Sequence, residues 1–156
     1  ELQLQAAEPL VRRRKELNAA QQSRLDHCLA EAYAATDRSR RAIVIYEQLL
    51  RKSPRDRRLL TTIAQLRMKC GTPECLKAAR SNWQVLQKLD KPGSRDWLQT
   101  RYLIALCSYR LGRHDECRKL LTVTRLLYPD LGGRELKARY TTLQRNLKAA
   151  RSTSSP

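Results

Sequence analysis

Apolar positions along this chain recur every three to four residues, the period of an α-helix, and not at the period of two that a half-buried strand requires. In the stretch 134–151, Leu136, Tyr140, Leu143 and Leu147 follow one another at steps of four, three and four, which places them in one stripe on one side of a helix. Residues 8–21 predict a second helix, with Pro9 in its first turn, where a missing amide is tolerated. Between these two stretches one arrangement occurs twice. Leu29-Ala30-Glu31-Ala32-Tyr33 leads to a polar turn at Thr36-Asp37-Arg38-Ser39 and then to Ala42, Tyr46, Leu49 and Pro54. Ile104-Ala105 and Tyr109 lead to Leu111-Gly112-Arg113 and then to Cys117, Leu121, Thr124 and Pro129. Twelve positions separate the small residues in both copies, Ala30 from Ala42 and Ala105 from Cys117, and twelve more reach the proline. A looser copy lies between them, with Leu60, Ile63 and Ala64, then Ala79, Trp83 and Leu86, then Pro92. Its turn is lengthened around Gly71-Thr72-Pro73-Glu74, where glycine and proline halt a helix.

These stretches resemble the tetratricopeptide repeat, a helix-turn-helix unit of about 34 residues with small residues where its two helices touch and a proline at its close. Small residues are needed there because helix axes approach to about 8 Å only where no bulky side chain intervenes. Ser108 stands where a tyrosine is common in the family. The resemblance implies an all-α fold, an antiparallel helix-turn-helix repeat stack wound as a right-handed α-solenoid, with about eight helices in all. Its repeats would fall at about 23–56, 57–92 and 97–130. Residues 134–151 would then be the capping helix that covers the last exposed face of such a stack, and 152–156 a flexible tail. The helix at 8–21 is read as the last helix of a further repeat upstream. A chain of 156 residues fits one ordinary domain, taken as 1–151.

Composition agrees with helices. Hydrophobic residues make up 41% of the chain against six prolines and five glycines, which fits neither a disordered chain nor a turn-rich β protein. No run of about 18 apolar residues occurs, so the segment itself is not expected to span a membrane. The first residue is Glu1 and not Met, so the chain is read as an excised or processed fragment, and the lack of a leader assigns it to no compartment.

Charge narrows the choice of partner. The formal net charge is +17, spread through every segment, and arginine outnumbers lysine. Such a surface attracts acidic protein segments, phosphate backbones and anionic lipid. Arg12-Arg13-Arg14-Lys15 forms one basic run, and Arg51, Lys52, Arg55, Arg57 and Arg58 form another. A solvated helical face accounts for such runs without a partner. Arg40 and Arg41 are different, because they precede Ala42 in the first turn of a helix, where the dipole disfavours positive charge by a few tenths of a kcal/mol. The equivalent place before Cys117 carries Asp115 and Glu116, the favourable sign.

Of the five cysteines, Cys107 and Cys117 are read as small packing residues, and unpaired, mostly buried thiols are the default for all five. Cys70 and Cys75 flank a short turn and could instead close a disulfide in an oxidising compartment. A zinc site lacks the second pair of ligands that four-coordination needs. His27 and His114 have no neighbouring nucleophile in a catalytic pattern, and neither a glycine-rich phosphate loop nor a His-Glu-x-x-His helix occurs. No enzyme activity and no cofactor are expected.

In the tetratricopeptide family, first helices line a concave groove that receives partner peptides. By position, the resemblance places Arg24, His27 and Glu31 there, then Arg58, Gln65 and Lys69, then Gln99, Tyr102, Leu106, Tyr109 and Arg110. The family's carboxylate clamp would fall at His27, Glu31, Thr62, Gln99 and Leu103, and these side chains lack its chemistry. Tyr102, Leu106, Tyr109 and Arg110 share one helical face and form a candidate docking spot, unless the capping helix covers that face and makes the tyrosines core. The expected function is an interaction scaffold that docks an acidic or mixed-charge protein segment through Arg24, Arg58, Lys69, Tyr102, Leu106, Tyr109 and Arg110. Arg12, Arg13, Arg14, Arg40 and Arg41 supply the basic surface. The alternative is a nucleic-acid-associated helical repeat, which only 5% aromatic residues and no Phe disfavour, since base-stacking platforms would be scarce.

Overall fold

The computed structural model describes residues 9, 11–36 and 38–152, and among these every regular element is helical. After a short 3-10 turn at Arg14–Glu16 come α1 (Ala19–Ala35), α2 (Ser39–Lys52), α3 (Arg57–Cys70), α4 (Pro73–Leu89), α5 (Arg95–Arg110), α6 (His114–Leu127) and α7 (Arg134–Ser152). Two compact units result, residues 1–71 and 72–156.

In the N-terminal unit α1 pairs with α2 and α2 with α3. Ala30 and Ala42 are both fully buried in one cluster with Tyr46, Leu49, Leu59 and Ile63. The two alanines remove the bulk that would hold α1 and α2 apart. The helix predicted over residues 8–21 does not form as one element. It breaks at Leu17, which is extended, because Asn18 accepts from the Gln21 amide at 2.9 Å while the Gln21 side chain accepts from the Asn18 amide at 3.0 Å. This reciprocal cap starts α1 at Ala19. Residues 1–8 and Leu10 lie outside the described residues, as does Asp37 of the predicted turn.

The turn before α1 is fastened onto it. Gln22 Nε2 donates to the carbonyls of Arg14 and Leu17 at 3.1 and 2.9 Å, and the Arg14 guanidinium donates to the buried carboxylate of Asp26 at 2.9 Å. Asp56 caps α3 by accepting from the Leu59 amide, and Gly71, at φ 74°, ends it in the left-handed conformation that glycine adopts without strain.

In the C-terminal unit α4 pairs with α5, α5 with α6, and α7 packs against both α5 and α6. The predicted stripe of Leu136, Tyr140, Leu143 and Leu147 is buried along its whole length, in a cluster with Leu98, Ala105, Cys117, Leu121 and Leu131. The Tyr140 hydroxyl satisfies its own burial by donating to the Leu98 carbonyl at 2.8 Å. Gly93 permits the entry into α5, since a Cβ there would stand 2.5 Å from the Tyr128 ring. Polar burial is less complete at Ser108, fully buried with no hydrogen-bond partner at its hydroxyl among the described residues. Leu126 and Leu127, at the end of α6, are 79% and 61% exposed.

The cysteines divide differently from expectation. Cys107 and Cys117 are buried packing residues, as anticipated, and burial pushes both thiols up to about 11. Cys28 is free and exposed, not buried. Cys70 and Cys75 are disulfide-bonded, which corrects the default of unpaired thiols. Cys70 ends α3 and Cys75 stands in the first turn of α4, five positions later.

Candidate functional site

Helix α2 begins where the chain leaves α1 through the polar turn. The Arg38 amide donates to the Tyr33 carbonyl at 2.9 Å, and the Arg38 carbonyl accepts from the Arg41 and Ala42 amides at 3.0 and 3.2 Å. Among the described residues no side chain caps this helix, and its first turn holds no acidic residue. Arg38, Ser39, Arg40 and Arg41 at this end, with Lys69 and Cys70 from the last turn of α3, line a cleft of about 810 Å³. All three arginines are exposed. Arg41 is oriented by Tyr33, its guanidinium carbon lying 5.8 Å from the ring centroid, a distance at which the aromatic face attracts a cation. The positive end of the α2 dipole points into the same space, so side-chain and backbone fields add.

Two groups nominated for separate reasons thus meet. Arg40 and Arg41 were read as basic surface and Lys69 as a groove residue, and the packing of α2 on α3 sets them around one cleft. Arg38 and Ser39 were not singled out. A signal existed, since Arg38 continues the basic run through Arg40 and Arg41, but its partnership with a residue some thirty positions later is a product of helix packing.

The remaining basic residues do other things. Arg13 pairs with Glu16 at 2.8 Å on the surface, whereas Arg14 is committed to Asp26. Arg12, Arg24 and Arg58 are exposed in the N-terminal unit, and Arg110 is exposed at the end of α5 in the other. On the face of α5 proposed for docking, Tyr102, Leu106 and Tyr109 are half-buried against the C-terminal core. Tyr102 lies 5.4 Å from Tyr140 of α7, and burial raises its hydroxyl above the ordinary tyrosine range. Tyr109 stacks on His114 at 5.4 Å.

Arg101 went unnoticed in the sequence. Its guanidinium lies 4.8 Å over the Trp97 ring and donates to Thr124 Oγ1 at 2.6 Å, and burial lowers its affinity for the proton. No helix is long and apolar enough to cross a membrane, and no group of three His, Cys, Asp or Glu could hold a metal, among the described residues.

The α5–α6 hairpin, with its small residues at the helix contact, defines a helix-turn-helix repeat. A family model described as tetratricopeptide repeat matches residues 99–130, within this hairpin and its following turn, and supports the resemblance to that family over this stretch. Such repeats serve typically as interaction scaffolds. No curated protein and no solved structure matches the chain.

Proposed function

We propose that this chain is a non-enzymatic protein-interaction scaffold that docks an acidic or mixed-charge segment of a partner protein. The observation that carries the reading is the tetratricopeptide match over residues 99–130. The net charge of +17 and the cationic cleft of the N-terminal unit support an acidic partner. Arg24, Arg58, Lys69, Tyr102, Leu106, Tyr109 and Arg110 are the proposed contacts, with Arg12, Arg13, Arg14, Arg40 and Arg41 raising the rate of encounter.

The test is affinity capture from native lysate with and without nuclease, followed by binding of the captured partner at low and high salt. Capture that survives nuclease and weakens with salt is expected. Reversal of Arg12, Arg13, Arg40 and Arg41 to Glu should weaken it further, while Arg14 is left intact because it holds Asp26. Capture abolished by nuclease would replace this reading with that of a nucleic-acid-associated repeat.

A further inference from the structure

We propose that the groove between α6 and α7 docks an acidic amphipathic helix of a partner protein, which sets one apolar side chain into the groove and a second over Leu126. The proposal rests on the scaffold reading in taking the partner to be an acidic protein, and it assigns that partner a surface outside the contacts named there.

The groove is apolar below and polar at its mouth. Leu121 and Leu147, both buried in the core of the C-terminal unit, form its floor, and Arg118, Thr122, Gln144 and Lys148 complete the lining. Its volume of about 240 Å³ falls below the roughly 300–1,000 Å³ of pockets that enclose small molecules, and suits a single leucine-sized side chain. Arg118, Thr122 and Leu126 follow one another at steps of four on α6, so Leu126 stands one turn beyond the groove. It is 79% exposed. Two apolar features one turn apart, about 5.4 Å, match the spacing at which a second helix presents its residues i and i+4.

Charge selects the partner. After Glu135 the chain carries no acidic residue, and Lys137, Arg145 and Lys148 stand exposed along α7. Neighbouring cations are already engaged, Arg118 by Asp115 and Arg139 by Glu135, each at 2.7 Å. No ion pair engages Lys137, Arg145 or Lys148 among the described residues. Arg125 donates to Gln144 Oε1 across the two helices, so Gln144 has only N–H donors left for a ligand. Carboxylates beside the apolar anchors complement this rim, whereas a second copy of the chain brings only more positive charge to it. An anionic bilayer would satisfy the cations and Leu126 but has no use for a recess of side-chain size.

The experiment uses the full chain and fluorescence polarisation at low salt with a labelled helical peptide that has leucines at i and i+4, glutamates beside them and alanines elsewhere. It should bind roughly tenfold tighter than the same peptide with glutamine for glutamate, and than one with serine for leucine. Lys148→Glu and Leu126→Gln should each weaken binding several-fold without lowering the melting temperature, since both side chains are exposed. Lys77→Glu, at an exposed position of α4, changes the charge equally elsewhere in the same unit and should alter affinity little.

A serine-substituted peptide that binds as tightly, or an equal loss in Lys77→Glu, leaves only diffuse attraction to a cationic protein and overturns the docking site. Leu126-dependent displacement of the peptide by vesicles of phosphatidylserine and phosphatidylcholine overturns it in favour of a lipid surface. Sedimentation at the same salt that finds a dimer lost in Leu126→Gln gives the face to a second copy, and also overturns it. Capture from lysate that survives nuclease and weakens with salt, yet is unmoved by Lys148→Glu and Leu126→Gln, overturns the groove and leaves the scaffold reading standing.

Discussion

Tyr102 of α5 faces Tyr140 of α7 with ring centroids 5.4 Å apart and planes inclined at 56°. This pair joins the face of α5 nominated for docking to the helix that caps the C-terminal unit. Tyr102→Ala is therefore expected to lower stability by about 1–3 kcal/mol, the loss of half-buried aromatic area plus the ring contact. Urea denaturation checks it. An unchanged midpoint together with lost partner affinity would assign the ring to recognition and not to packing.

Ala42 is fully buried against α1 beside Ala30. Ala42→Leu should cost roughly 1–3 kcal/mol, since the added carbons must enter a fully buried contact between the two helices. Thermal melting decides the matter, and a variant that melts like the parent would mean that α1 and α2 do not meet at these two alanines.

The buried carboxylate of Asp26 relies on Arg14, whose own side chain is 43% exposed. Removing the cation strands the anion, whereas neutralising the anion leaves an exposed arginine that water can solvate. Arg14→Ala is expected to cost about 1–2 kcal/mol, tempered by that exposure, and Asp26→Asn less. Comparable losses from both would contradict this asymmetry.

Thiol chemistry separates the cysteines. Alkylation of the unreduced, denatured protein should label three, Cys28, Cys107 and Cys117, and reduction should release Cys70 and Cys75 as well. In the native protein only exposed Cys28 should react readily, since Cys107 and Cys117 are buried and scarcely ionised at neutral pH. Mass spectrometry counts the adducts. Five adducts without reductant would exclude the disulfide.

Alkali should destabilise the fold. Cys107 and Cys117 ionise near 9.0 when unfolded and near 11 when folded, so the unfolded chain sheds protons first as pH rises. Their contribution is complete below about pH 9 and is lost between there and about 11. Burial of Tyr140 acts in the same direction at higher pH. Stability measured by urea denaturation should fall across that window in the parent and less in Cys107→Ala.

The fold was legible where one residue type answered one packing need. Ala30, Ala42, Ala105 and Cys117 announced helix contacts, and the stripe from Leu136 to Leu147 announced the face that α7 buries. The break before α1 was also written locally, as Asn18 followed three positions later by Gln21, but reading 8–21 as one helix with Pro9 in its first turn passed over it. Ser108 looked like a mere departure from a pattern, and only burial shows its hydroxyl without a partner. The cleft was half legible. Arg40 and Arg41 stood out by their position on a helix, yet nothing in the order of residues could say that Lys69 and Cys70 would close the other side, because that follows from how α2 lies on α3.

Leu126 and Leu127 end α6 as an apolar ridge on a strongly cationic molecule. In dilute buffer, like charges keep copies beyond the reach of leucine-to-leucine attraction. Added salt shortens that repulsion to about 3 Å at 1 M while leaving the ridge as adhesive as before. Colloidal behaviour is therefore expected to run opposite to common practice: light scattering should show self-association rising with concentrated salt in the parent and not in Leu126→Lys.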